Sequence, residues 1–307
     1  MKAASRLLVL LCASSVLALA QDSSDSTIRV SVKLVNVFTT VTDANGSPVA
    51  ALQKDNFHIF EDGIPQNTAV FARQSNLPLS IVVAIDTSLS TRDDLRFEIV
   101  SARRFAHDVL DPRNHDALSL YAFDREVREL VPFTSSLARI DSGLDQIRVG
   151  SSTSLYDAIF LGSQSLENRQ GRKVMVVITD GGDTGSDVTY QDAVRRAQQA
   201  EAIIYSIIIV PIEASAGRNT GGEHALIQLS RDTGGKYYYA DSTPQLDKVF
   251  AQISAELRTQ YLLAYYPSRR VADSDFRQIE IRVSPAGIPG GPFTVRHRTG
   301  YYTSKPD

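Results

Sequence analysis

Four near-continuous apolar runs punctuate the middle of the chain: "LSIVVAI" at 79–85, "ALSLYAF" at 117–123, "KVMVVIT" at 173–179 and "AIIYSIIIV" at 202–210. Strands covered on both faces need such runs, because neither parity of side chain meets water. The stretches between them carry helical periodicity. Residues 92–110 place Leu95, Ile99, Ala102 and Phe105 on one face, and 244–258 do the same with Leu246, Val249, Phe250, Ile253 and Leu257. Further helices are predicted over 154–168 and 189–201. This alternation predicts an α/β unit over 77–258 with a doubly wound, mostly parallel, Rossmann-like sheet. "VRELVPF" at 127–133, close behind the second run, predicts a hairpin partner for it.

On either side of this unit the period changes to two. "IRVSVKLVNVFTTVTD" at 28–43 alternates as a half-buried strand does, with a parity slip at Leu34-Val35 that predicts a bulge or a change of face. "DANGSP" predicts a turn with positive φ supplied by Asn45-Gly46, and "FHIFEDGIPQNTAVFARQ" predicts a hairpin turning at Asp62-Gly63. Beyond Arg258, "QYLLAYYP", "RQIEIRVS" and "FTVRHRTGYY" predict three more strands. Neither flank has enough strands to close a core alone. Residues 27–76 and 259–307 are therefore expected to pack on each other as one β-sandwich, with the α/β unit inserted between them.

The first twenty residues predict a cleavable signal peptide, since Lys2 and Arg6 precede an apolar stretch that ends at Ala18-Leu19-Ala20, and 21–26 form a polar tail. The expected destination is the periplasm, the cell surface or the medium. Cys12 is the only cysteine and lies in that segment, which removes disulfides and thiolate chemistry from the rest of the chain. A net charge of −3 with interspersed signs gives no footprint for nucleic acid. Partners must be sought in local chemistry.

That chemistry gathers at the ends of two apolar runs. The first stops at Asp86, followed by Ser88 and Ser90; the third stops at Asp180 in "VVITDGGDTG"; and "GSSTSLYDAI" puts Thr153 just before a predicted helix. In an open α/β sheet the carboxyl ends of parallel strands share one edge, so Asp86 and Asp180 are expected to face one crevice. Two carboxylates and three hydroxyls, without His or Cys, suit a hard cation such as Mg²⁺ or Mn²⁺. Taken alone, Asp-x-Ser-x-Ser also suits a plain helix cap. Asp157 is expected to be structural, and Asp183 and Asp187 solvated. The histidines have no ligand spacing, and no Gly-x-Ser-x-Gly elbow or phosphate loop exists.

With all three segments present, the chain resembles the von Willebrand factor A domain over roughly residues 77–258, and its flanks resemble a bacterial subgroup of secreted proteins of that type. The resemblance implies a metal-ion-dependent adhesion site at Asp86, Ser88, Ser90, Thr153 and Asp180. It also implies capture of a partner, a protein or an acidic polysaccharide, through an acidic group that completes the ion's coordination. The expectation is a secreted, cation-dependent binding protein and not an enzyme. Two rivals are a metal-dependent hydrolase or phosphotransferase and a structural envelope component with an idle site.

Overall fold

The computed structural model describes residues 34–73, 77–210, 220–269, 276–284 and 292–303. The predicted signal peptide, the predicted polar tail, the first part of the predicted opening strand and residues 211–219 lie outside the described residues. The amino-terminal flank supplies β1 (Val35–Thr42), β2 (Phe57–Glu61), β3 (Ile64–Gln66) and β4 (Thr68–Arg73). β2 and β3 form the expected hairpin, with Asp62 and Gly63 at φ 48° and 76°. In the "DANGSP" turn only Gly46 takes positive φ, at 78°.

The central unit runs β5 (Leu79–Asp86), α1 (Leu95–Val109), β6 (Ala117–Phe123), β7 (Val127–Thr134), α2 (Leu137–Leu144), α3 (Leu155–Leu166), β8 (Arg172–Thr179), α4 (Tyr190–Gln199), β9 (Ile203–Ile209), α5 (Thr220–Thr233), β10 (Tyr237–Ala240) and α6 (Thr243–Leu257). Its sheet has the order β10-β9-β8-β5-β6-β7, parallel except for β7, which pairs antiparallel with β6. Every residue of β5, β6 and β9 is buried. One apolar cluster packs α1, α2 and α6 on one face and a second packs α3, α4 and α5 on the other, which is why the strands read as unbroken apolar runs.

The carboxyl-terminal flank adds β11 (Tyr261–Tyr265), β12 (Phe276–Val283), β13 (Thr294–Arg296) and β14 (Gly300–Tyr302). Two four-stranded sheets result, β13-β1-β11-β4 and β14-β12-β2-β3, each mixing strands from both ends of the chain. They share a core of Val35, Val37, Phe57, Ile59, Tyr261, Leu263, Tyr265, Ile279 and Ile281. "FTVRHRTGYY" is not one strand as its alternation suggests. It divides into β13 and β14, which belong to different sheets, and Thr299 between them donates its N–H to Asp232 O at 3.0 Å.

Candidate metal centre

β5 lies between β6 and β8, with β6 and β7 wound to one side and β8, β9 and β10 to the other. The winding reverses between β5 and β8, and the crevice beyond the carboxyl ends at such a point is where ligands of open sheets sit. Asp86 closes β5 there, fully buried. Its Oδ1 accepts from the N–H of Ser88 at 2.8 Å, which turns the chain sharply out of the strand. Its Oδ2 accepts from Thr179 Oγ1 at 2.6 Å, tying the end of β5 to the end of β8. Thr179 Oγ1 in turn accepts from the N–H of Gly181 at 3.1 Å, so Asp180 is bracketed between two anchored residues.

The helix-cap alternative for the two serines is not what is observed. Ser88 precedes a single 3₁₀ turn at Leu89–Thr91 without a side-chain cap bond, and α1 begins only at Leu95 behind an Asp94 that also makes none. Ser88 Oγ and Ser90 Oγ instead face each other at 3.1 Å. Ser88 is buried while Ser90 is exposed, so the group opens to solvent on the Ser90 side. Thr91 Oγ1 donates to the carbonyls of Asp86 and Ser88, at 3.1 and 3.0 Å, and fixes the turn from below.

Thr153 arrives on a third segment. Gly150 N–H donates to Thr87 O at 2.6 Å and Leu89 N–H donates to Ser151 O at 3.0 Å, laying 149–151 alongside 87–89. Thr153 O accepts from the N–H groups of Thr184 and Gly185, at 2.9 and 3.0 Å, which joins this segment to the loop after Asp180. The loops bearing the five predicted residues are thus hydrogen-bonded to one another. Asp157 is structural, holding the N–H groups of Asp187 and Val188 at 3.1 and 3.0 Å. Asp183 is not simply solvated: its Oδ1 accepts from Leu155 N–H at 2.8 Å and caps α3. Its partner is remote in sequence, so no local signal marks it.

Burial pushes the Asp86 carboxyl up to about 6, against the lowering effect of its hydrogen bonds from Thr179 and Ser88. A further acid, absent from the sequence reading, lies in the same field. Glu98 on α1 is fully buried, and neither carboxyl oxygen has a hydrogen-bond partner. Burial first, then the charges of Asp86, Asp94 and Asp180, raise it well above the usual carboxyl range. Among the described residues neither Asp86, Asp180 nor Glu98 pairs with an arginine, lysine or histidine. Nor do these residues include a group of three or more His, Cys, Asp or Glu side chains able to hold a metal ion. The candidate donor set is therefore two carboxylates completed by neutral hydroxyls. Oxygen donors of this kind around uncompensated buried negative charge fit a small hard cation.

The von Willebrand factor type A domain family matches residues 81–182, a span that contains all five positions. No curated protein matches the chain. Among solved structures, the conserved hypothetical protein BatB from Bacteroides thetaiotaomicron has 19% identity and a TM-score of 0.47, over 57% of this chain and 97% of that one. The vWF domain of the type V pili tip protein Mfa5 from Porphyromonas gingivalis has 13% identity and a TM-score of 0.46, over 58% and 94%. Proximal thread matrix protein 1 from the mussel byssus, with a zinc-occupied MIDAS motif, has 16% identity and a TM-score of 0.49, over 61% and 49%. The family match at residues 81–182 falls on the mostly parallel sheet whose switch point lies between β5 and β8, and this central unit is similar to the von Willebrand factor type A domain.

Proposed function

We propose that this is a secreted binding protein that captures a partner through a divalent cation held by Asp86, Ser88, Ser90, Thr153 and Asp180. The observation that carries the reading is the pair of serine hydroxyls, 3.1 Å apart, uncommitted to helix capping and set beside a buried carboxylate with no cationic partner. Bound Mg²⁺ or Mn²⁺ would supply a positive centre that prefers oxygen ligands. Two carboxylates only balance the divalent charge and the hydroxyls add none, so the ion keeps room in its coordination sphere for an acidic oxygen from a partner. Asp86 would orient the set through its bonds to Ser88 and Thr179, and exposed Ser90 marks the side from which a partner approaches. Among the described residues no helix is long and apolar enough to cross a membrane. Secretion rests on the signal-peptide reading of residues 1–20.

Thermal unfolding in Mg²⁺ and in chelator tests the site. Cation at ~100 times its dissociation constant adds about 2.7 kcal/mol of stability, and Asp86→Ala abolishes that gain. An Asp86→Ala protein with the full cation-induced shift would remove these residues from consideration. A parallel screen for Mg²⁺-stimulated phosphatase and esterase activity decides between binding and catalysis, and turnover lost in Asp86→Ala would favour the enzyme.

A further inference from the structure

In the sandwich, β12 outruns the strand beside it. β14 pairs with it only over Phe276–Gln278, and the next N–H groups must find partners elsewhere. Ile279 N–H donates to Thr299 O at 2.8 Å, and Ile281 N–H donates to His297 Nε2 at 3.1 Å. A side-chain ring thus takes the place of a backbone carbonyl. Its other nitrogen, Nδ1, lies 2.8 Å from Arg298 O. A backbone N–H can only donate and a carbonyl can only accept, so the ring carries one proton, on Nδ1, and offers a lone pair at Nε2. The residues around His297 reach the other way, into the α/β unit. Arg296 pairs with buried Glu256 of α6 at 2.7 Å, Arg298 faces Glu201 behind α4 at 3.5 Å, and Thr299 holds Asp232 O of α5. Gly234 backs the segment so closely that a Cβ there would lie 2.6 Å from Arg298 N. Residues 296–299 therefore tie the sandwich to three helical segments, and His297 fastens them to β12.

We propose that His297 is an acid-sensitive clasp: its neutral ring keeps the segment 296–299 fastened to β12, and a second proton on the ring loosens that segment and with it the hold of the sandwich on the α/β unit. A proton on Nε2 would set donor against donor at the Ile281 N–H, and a hydrogen bond inside the sandwich would be lost. The surrounding charges offer no compensation. Glu280 of β12 has its two oxygens on Arg282, at 2.6 and 3.0 Å, and Arg298 places a positive charge beside the ring. Arg296 is engaged with Glu256, and the Asp232 carboxylate with Gln228. Burial first, and then Arg298, hold the ring below its ordinary value of 6.5, against the opposing pull of the Arg298 carbonyl and Glu280. Folded His297 thus binds fewer protons than unfolded His297. Its contribution is fully present above 6.5 and is lost as pH falls below that value.

The test is hydrogen exchange of the full chain at about pH 7 and about pH 5, corrected for the intrinsic pH dependence of exchange and set beside His297→Gln. A glutamine amide donates from its nitrogen and accepts at its oxygen at either pH, so it can keep both bonds without titrating. In the unaltered chain, protection across Phe276–Val283 and Thr294–Tyr302 is expected to fall by about tenfold at the lower pH, while β5 and β8 keep theirs. His297→Gln should show no such fall. Asp86 and Glu98 titrate in both proteins, so their share cancels in the comparison. Unchanged protection of the unaltered chain at the lower pH, or an equal fall in His297→Gln, overturns the clasp. Should the variant misfold, the imidazole resonances of His297 in the unaltered chain decide: the proposal requires the Nδ1–H form and a midpoint below 6.5, and a midpoint at or above 6.5 or the other tautomer overturns it.

Discussion

At the scale of single residues, the molecule keeps negative charge where it is costly. Asp86 is buried with its carboxyl raised to about 6, and buried Glu98, without one hydrogen bond, is also raised well above the usual carboxyl range. Burial of this kind penalises the charged form, and positive charge arriving nearby relieves that penalty. The sign of the effect on stability follows from linkage. Between the ordinary carboxyl value of 3.8 and about 6, folded Asp86 binds more protons than unfolded Asp86 does. Its contribution is thus fully present below 3.8 and is lost as pH rises through about 6. The loss amounts to at most about 3 kcal/mol, at ~1.4 kcal/mol per pH unit. In chelator the protein is expected to become less stable between pH 4 and 6, and Asp86→Asn should remove that share while leaving the part due to Glu98. Urea midpoints measured across the window check this, and an unchanged slope in Asp86→Asn contradicts it.

At the scale of elements, the loop that carries Asp180 depends on a helix that the sequence does not advertise. A Cβ on Gly222, in the first turn of α5, would lie 1.4 Å from Gly181 O and 2.5 Å from its carbonyl carbon. The obstacle is backbone, so Gly222→Ala must push α5 and the Asp180 loop apart. A loss of about 1–3 kcal/mol is expected, with a weaker Mg²⁺-induced thermal shift. An alanine variant with unaltered melting and unaltered shift would show that the close approach is dispensable. No helix is predicted there because Gly221-Gly222 breaks the helical pattern, whereas α5 begins at Thr220 and ends before Gly234 at φ 84°. Helix α2 escapes for a related reason: its eight residues bury only Ile140, Gly143 and Leu144, too little to register as a period. The strands that build the site edge were legible, because burial on both faces leaves an apolar run that little else produces. Glu98 was not, since a glutamate on a helix ordinarily means a solvated face.

At the scale of the whole molecule, two ends of the chain distant in sequence make each other's core. β1 is hydrogen-bonded between β11 and β13, and β2 between β12 and β3, so neither flank retains an intact sheet without the other. Polar groups bind the two flanks as specifically as the apolar ones do. Buried Glu61 of β2 accepts from Tyr265 Oη at 2.7 Å and Tyr301 Oη at 2.8 Å, and faces Arg277 Nη1 at 3.4 Å. Tyr261 Oη donates to Val49 O at 2.7 Å and accepts from Leu52 N–H at 3.1 Å. Removing residues 21–75 would leave β11 with no strand partner and β12 with β14 alone. It would also uncover Leu263, Tyr265, Ile279 and Ile281, and take the acceptor from the hydroxyls of Tyr261, Tyr265 and Tyr301. The α/β unit has its own two apolar clusters and should keep its central strands. The expected outcome for the shortened protein is lost hydrogen-exchange protection across Tyr261–Tyr265 and Phe276–Val283, with a rise in binding of a hydrophobic dye and association into aggregates, while β5 and β8 stay protected. Full protection of β11 and β12 in a monomeric protein lacking residues 21–75 would mean that the carboxyl-terminal strands close their own core, and the shared core of the two flanks would then be a contact of convenience and not the reason they fold.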